Sequence, residues 1–324
     1  MSTSALPRVI ILDDYQGIAL SSADWSPLNN RAVIDVFRDT VTDELALVQR
    51  LEPYAIVCAM RERTKFPASL LDKLPNLKFI ATTGFRNAGI DIAHARKKGI
   101  PVSGTSSSGN PTLEHIWALL LATVRYITVE DTNVKASNPQ WQSTMPMGLA
   151  GKTLGLVGVG RLGTQTAAIA KAFGMRVIGW SPNLTPERAN GAGVEYIATK
   201  EALFKQSDVV SIQLVLSDKT VGIVTKEDLF SMKPTAFFIN TSRGPLVDEA
   251  GLIEALNQER IAGAGLDVFD IEPLPLDHPL RKAKRVTLSP HSGYLSDSNY
   301  AAFWGQTVGN IVAFLNGAPT NVIK

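Results

Sequence analysis

Residues 153–174 place an apolar run, a glycine-rich turn and a helical run in immediate succession. "TLGLV" leads into Gly158-Val159-Gly160-Arg161-Leu162-Gly163, and "TQTAAIAKAFG" follows. Three glycines spaced G-x-G-x-x-G mean little alone. Set between a strand and a helix, with a second strand "RVIGW" at 176–180 behind them, they commit the chain to a βαβ unit shaped for a dinucleotide. The first glycine permits the tight turn, the second lets backbone approach a pyrophosphate, and the third lets helix and strand pack closely. The helix start then offers N–H groups to the phosphates.

The rest of the chain has the same rhythm. Candidate strands fall at 8–12, 32–37, 55–60, 78–83 and 101–104, with helical periodicity between them, as at 42–51. A second series falls at 153–158, 176–180, 194–197, 208–214, 236–240, 263–269 and 285–289. Such alternation implies parallel sheets covered by helices. Two long helices are expected, at 112–129 and 296–317, the latter opened by Ser or Asp and closed by Gly317. Between them, "SNPQWQSTMPMGLAG" at 137–151 is rich in Pro and Gly and reads as an arm or linker.

Bulk properties exclude several classes. The 324 residues are enough for two domains. A net charge of +2 is no nucleic-acid footprint. No run is apolar for 18 residues, so no membrane partner is expected. The start "MSTSALPRVIILDDY" carries no signal-peptide pattern, which makes the cytoplasm the expected location. The single cysteine, Cys58, sits in "AIVCAM" and reads as a small buried hydrophobe. No two of the four histidines have metal-ligand spacing, so no metal is expected.

The loop after "RVIGW" is unusual for a dinucleotide fold. Ser181 occupies the place, 18 residues after Gly163, where an acid ordinarily bonds the ribose and repels a 2′-phosphate. Ser181 and Asn183 can bond either a hydroxyl or a phosphate oxygen, and the repelling charge is gone. The cofactor is therefore read as NAD(P), with NADP(H) slightly favoured over NAD(H). No arginine is adjacent, but Arg188 and Arg161 are within reach.

Three later segments each place a polar group just beyond a strand: "FFINTSRGPLVDEAGLIEAL", "GAGLDVFDIEPL" and "VTLSPHSG". Open α/β sheets bind ligands there. Arg243 offers a forked donor for a carboxylate. His291 can exchange a proton near neutral pH. A carboxylate such as Glu272 can orient and stabilise its ring. The set suits hydride transfer to a 2-oxo acid.

Together with "LVGVGRLG" and "RTKFPASLLDKLPNLKFIATTG", these segments resemble the D-isomer-specific 2-hydroxyacid dehydrogenases, a family that includes glyoxylate and hydroxypyruvate reductases and phosphoglycerate dehydrogenase. The resemblance covers nearly the whole chain. It implies two Rossmann-like, doubly wound parallel-sheet domains, the cofactor domain (105–293) inserted in a substrate domain made of 1–104 and 294–324. It implies hydride exchange between NAD(P) and a small 2-oxo or 2-hydroxy acid, in a homodimer. Arg243, Glu272 and His291 match the catalytic positions. Thr241, Arg243, Asp267 and His291 fall on the cofactor side, Asp267 near the nicotinamide carboxamide. The loop Thr83-Gly84-Phe85 matches the one whose amides help bind the substrate carboxylate, with Arg243 and His291.

The chain departs from the family in places. Its loop "TTGFRNAGID" introduces Arg86 and Asn87, so Arg86 is either a second anion contact or a surface ion pair. Gln213 stands where a histidine is common. His94 reads as a solvated residue, His278 as a loop residue, and His115 as capping or packing. Trp141 and Trp304 read as core or interface. Two other activities remain open from sequence: oxidation of a donor such as formate or phosphite, and a cofactor-gated, corepressor-like binding role.

Overall fold

The computed structural model describes residues 5–324. The chain divides into two compact units, Met1–Gly109 with Leu295–Lys324, and Asn110–Tyr294. These boundaries lie a few residues beyond 104/105 and 293/294. The reason is local: the segment after Gly104 is tied to the final helix. Asn310 Nδ2 donates to Gly104 O at 2.9 Å, Ser106 N to Gln306 Oε1 at 2.8 Å, and Ser108 N to Asn299 Oδ1 at 2.9 Å.

The first unit holds β1 (Arg8–Ile11), β2 (Val33–Val36), β3 (Ile56–Ala59), β4 (Phe79–Thr82) and β5 (Val102–Ser103). Their order is β2-β1-β3-β4-β5, every pairing parallel. β3 and β4 are buried throughout, as short apolar runs covered on both faces should be. The final helix Asp297–Leu315 is capped by the Ser296 side chain, which accepts from Asn299 N, and Gly317 follows it at φ +78°. Phe314 of this helix stacks on Phe79 of β4, ring centroids 4.6 Å apart, and Trp304 packs beside Trp25. After the helix, Val322 bridges Ser103 and Ile323 N donates to Val102 O at 2.8 Å.

The second unit holds β6 (Thr153–Val157), β7 (Arg176–Trp180), β8 (Glu195–Tyr196), β9 (Val209–Ile212), β10 (Phe237–Asn240), β11 (Gly263–Leu266) and β12 (Val286–Leu288). The order is β12-β11-β10-β9-β6-β7-β8, again parallel. Strand alternation sorts the core into two layers. Val210, Ile212 and Phe238 join one apolar cluster, and Val209, Phe237 and Ile239 the other. The chain reverses direction across the sheet between β6 and β9, and the crevice beyond their carboxyl ends is where such sheets take ligands.

The expected helix at 112–129 is two helices, Pro111–Val124 and Ile127–Lys135. Tyr126 breaks it at φ +53°, a left-handed conformation without glycine, and its ring meets the edge of Phe237 at 5.9 Å. Trp304 is buried, as expected of core, but Trp141 is 76% exposed and belongs to no core. Cys58 is fully buried, and burial pushes its thiol up, away from reactivity.

Candidate active site

The glycine turn lies at the reversal between β6 and β9. Gly158 has φ +107°, and a Cβ there would stand 2.7 Å from the Gln213 carbonyl oxygen at the end of β9. A Cβ on Gly163 would stand 2.5 Å from the carbonyl oxygen of Gly158. The two glycines are thus required by close backbone approach. Gly160 differs: nothing lies within 4 Å of its missing Cβ. It caps the helix Arg161–Ala172, whose first turn no side chain satisfies. An open concavity facing bare helix N–H groups fits a pyrophosphate. Arg161 lies on that first turn and reaches Asn110 Oδ1 at 3.3 Å.

Beyond β7, Leu184 N donates to Ser181 O and closes a turn over 181–184. Asn183 is exposed and Ser181 half-buried. Thr185 caps the next helix and points it so that Arg188 Nη1 donates to Asn183 O at 2.9 Å. A guanidinium therefore lies against the Ser181–Asn183 turn, and no carboxylate stands in that turn.

At the ends of β10, β11 and β12 the three ionisable residues converge in part. His291 Nδ1 lies 2.5 Å from Glu272 Oε2, with the side chains 16% and 21% exposed. The other oxygen of Glu272 accepts from Phe269 N at 3.0 Å, which fixes the carboxylate. His291 itself has φ +51°. A non-glycine residue in that region costs roughly 1–2 kcal/mol and persists only when its surroundings impose it. Arg243 is half-buried after β10. Its Nη1 donates to Ser242 O at 2.7 Å, and Asn240 Nδ2 donates to its carbonyl at 3.0 Å. The Thr241 hydroxyl is buried without a hydrogen-bond partner among the described residues.

These features match known proteins. A family model described as D-isomer specific 2-hydroxyacid dehydrogenase, NAD binding domain, matches residues 117–293. A hydroxypyruvate reductase of Blautia hydrogenotrophica is 32% identical over 98% of this chain and 99% of its own length. A glyoxylate reductase of Korarchaeum cryptofilum is 36% identical over 98% and 96%. The crystal structure of a phosphoglycerate oxidoreductase from Vibrio cholerae superimposes with TM-score 0.90 at 33% identity, covering 97% of this chain and all of that one. The chain belongs to the D-isomer-specific 2-hydroxyacid dehydrogenase family. It is accordingly a nicotinamide-dependent oxidoreductase of the 2-hydroxy and 2-oxo acid class.

In this dehydrogenase the first unit carries its own candidate loop after β4. Thr83 N donates to Ala59 O and Gly84 N to Thr105 Oγ1 at 2.9 Å. Those two amides are engaged within the unit, while Phe85 is 45% exposed. Asn87 is buried and braces the loop: its Nδ2 donates to Arg61 O at 2.5 Å and to Thr82 Oγ1 at 2.8 Å. Arg61 N in turn donates to Thr83 Oγ1 at 2.9 Å. Arg86 is exposed and makes no ion pair among the described residues, so the surface-pair alternative is not what the structure contains.

Asp267 is the residue whose surroundings sequence reasoning missed. It is 1% exposed, and its carboxylate meets the Ser289 hydroxyl, the Ser292 and Gly293 amides and the His115 ring. Burial pushes this carboxyl up, but the His115 hydrogen bond and charge, with Ser289 and Ser292, outweigh burial and hold it below the ordinary carboxylate value. His94 pairs with Asp72 on the surface, and His278 pairs with Glu249 while capping Leu280.

Proposed function

We propose that this dehydrogenase reduces small 2-oxo acids to D-2-hydroxy acids, and catalyses the reverse reaction, with His291 as the acid–base group. The observation that carries the reading is the His291–Glu272 contact at 2.5 Å at the carboxyl end of the sheet. With Nδ1–H donating to Glu272, Nε2 is the ring atom that gives its proton to the developing alkoxide. Glu272 stabilises the imidazolium form before transfer and keeps the ring oriented during it. Arg243 binds the substrate carboxylate through its planar fork and polarises the adjacent carbonyl. The loop Thr83-Gly84-Phe85 is a second substrate element, with Phe85 its exposed member. The Arg86 charge favours substrates with a further polar or anionic group.

When bound, a reduced nicotinamide supplies the hydride. Gly158, Gly160, Arg161, Leu162 and Gly163 hold the pyrophosphate, and Thr241, Arg243, Asp267 and His291 serve the nicotinamide end. Ser181 and Asn183 hold the ribose, and Arg188 beside them favours NADP(H) over NAD(H). A homodimer in the cytoplasm goes with this reading.

The test is the initial rate of NADPH and NADH oxidation with glyoxylate, hydroxypyruvate and pyruvate. Turnover is expected with at least one, faster with NADPH. His291→Ala should lower kcat by about 100-fold or more with cofactor Kd nearly unchanged. Arg243→Ala should raise KM and lower kcat together. Wild-type activity in His291→Ala would refute the assignment. No specific observation favours a formate or phosphite donor or a corepressor-like role.

A further inference from the structure

The turn that carries His291 is held by one carboxylate. Leu266 and Leu288 are register partners in β11 and β12, so the next residues, Asp267 and Ser289, emerge side by side. Ser289 Oγ donates to Asp267 Oδ1 at 2.6 Å, Ser292 N to the same oxygen at 2.8 Å, and Gly293 N to Oδ2 at 3.0 Å. These donors stand on both sides of His291. The left-handed conformation at His291 thus lies inside a turn whose flanking groups Asp267 ties, while Glu272 meets the ring. A carboxylate buried this deeply requires a countercharge or a full set of donors. The remaining donor comes from the helix Pro111–Val124: His115 Nε2 lies 3.1 Å from Asp267 Oδ1 and 3.0 Å from Ser289 Oγ. The same ring packs over Gly293, where a Cβ would stand 3.3 Å from His115 Cδ2 and 3.0 Å from Asp267 Oδ2.

We propose that His115 is a positioning residue for the proton transfer. It acts through Asp267 and rests on the assignment of His291 as the acid–base group. By donating to Asp267, His115 keeps that carboxylate ionised and able to accept from the Ser292 and Gly293 amides. Without the donor, Asp267 retains its burial and loses one of the hydrogen bonds that satisfy it. It then takes up a proton or turns towards water, and either change releases an amide that sets the His291 turn. The ring keeps Glu272 but loses its bearing on the substrate. His115 itself touches neither substrate nor cofactor in this reading, so the main effect falls on kcat, with a smaller effect on cofactor binding through Asp267.

Two variants of the full-length protein separate this role from packing. His115→Gln keeps an N–H donor of similar reach, and His115→Phe keeps the ring without the donor. kcat and KM for glyoxylate, Kd for NADPH by fluorescence, and amide hydrogen exchange over 289–293 are measured for each. For His115→Phe we expect kcat to fall about tenfold or more, since small misplacements of a reacting group are that costly. KM and Kd should stay within about threefold, and Ser292 and Gly293 should exchange faster. His115→Gln should stay near wild type in all four. If His115→Phe fails to fold, His115→Asn, too short to reach Asp267, replaces it under the same expectations. Wild-type kcat and exchange in the donor-less variant overturn the proposal, as does equal impairment of the donor-bearing one. His291→Ala is measured alongside. Retained turnover there overturns the functional reading and this proposal with it, whereas an inactive His291→Ala beside a normal His115→Phe overturns the proposal alone. The exchange readout needs no substrate and decides the tether in any case.

Discussion

At the scale of single residues, the site works by removing choices. His291 has its ring against Glu272, and the two residues that follow it donate their amides to Asp267, which restricts both the ring and the turn. Asp267 makes this arrangement sensitive to acid. Its folded pKa is depressed, so it contributes stability that is present above the ordinary carboxylate value and is lost as pH falls through the folded value. Urea unfolding of wild type and Asp267→Asn should therefore differ most above about pH 5 and converge as pH falls below the ordinary carboxylate value. A difference that stays constant over that range would mean the carboxylate charge does not hold the loop. The proposed function also makes Ser181 the determinant of cofactor choice. Ser181→Asp restores a charge beside Asn183 and Arg188, and the NADPH-to-NADH ratio of kcat/KM should drop about tenfold, equivalent to ~1.4 kcal/mol of discrimination. An unchanged ratio would show that this turn does not read the ribose.

At the scale of elements, the glycine turn is the most exacting piece. Gly158 combines φ +107° with a close carbonyl, so Gly158→Ala should destabilise the protein by about 1–3 kcal/mol and weaken dinucleotide binding. Gly160→Ala meets open space, so it should leave stability near wild type and weaken binding alone. Thermal melts with and without NADPH distinguish the two. The contrast also shows what could be read from sequence. Strand cores were legible because "FFIN" or "IVCA" cannot lie anywhere but between covered faces, although the apolar residues beyond them, Leu214 and Val268-Phe269, made β9 and β11 look longer than they are. Tyr126 carried no such sign: nothing in "VRYITV" marks a left-handed break, and the ring it meets there, Phe237, lies 111 residues later. Arg243, Glu272 and His291 were legible as motif residues. The Asp267 clamp was not, because His115 and Ser289 lie 174 residues apart and meet only through strand register.

At the scale of the whole molecule, the segment after Tyr126 presents an apolar surface. Ile127, Val134, Trp141 and Met145 are 57%, 53%, 76% and 89% exposed. Glu130 pins the arm by accepting from the amides and hydroxyls of Ser143 and Thr144. A pinned apolar arm is the expected face between two copies of the chain. Sedimentation should give a dimer, and the double variant Trp141→Glu, Met145→Glu should shift it towards monomer. A wild-type monomer at micromolar concentration would remove the homodimer from the proposal. The first unit has a different dependence, on chain order. Its sheet is spelled out by residue 103, yet the helix that stacks Phe314 on Phe79 begins only at Asp297. A ribosome reading this message finishes the whole second unit while β4 still lacks that cover. The newborn chain is thus a completed cofactor unit trailing an uncapped apolar sheet, and any pause in synthesis before Asp297 leaves that sheet open to chaperones or to other unfinished chains.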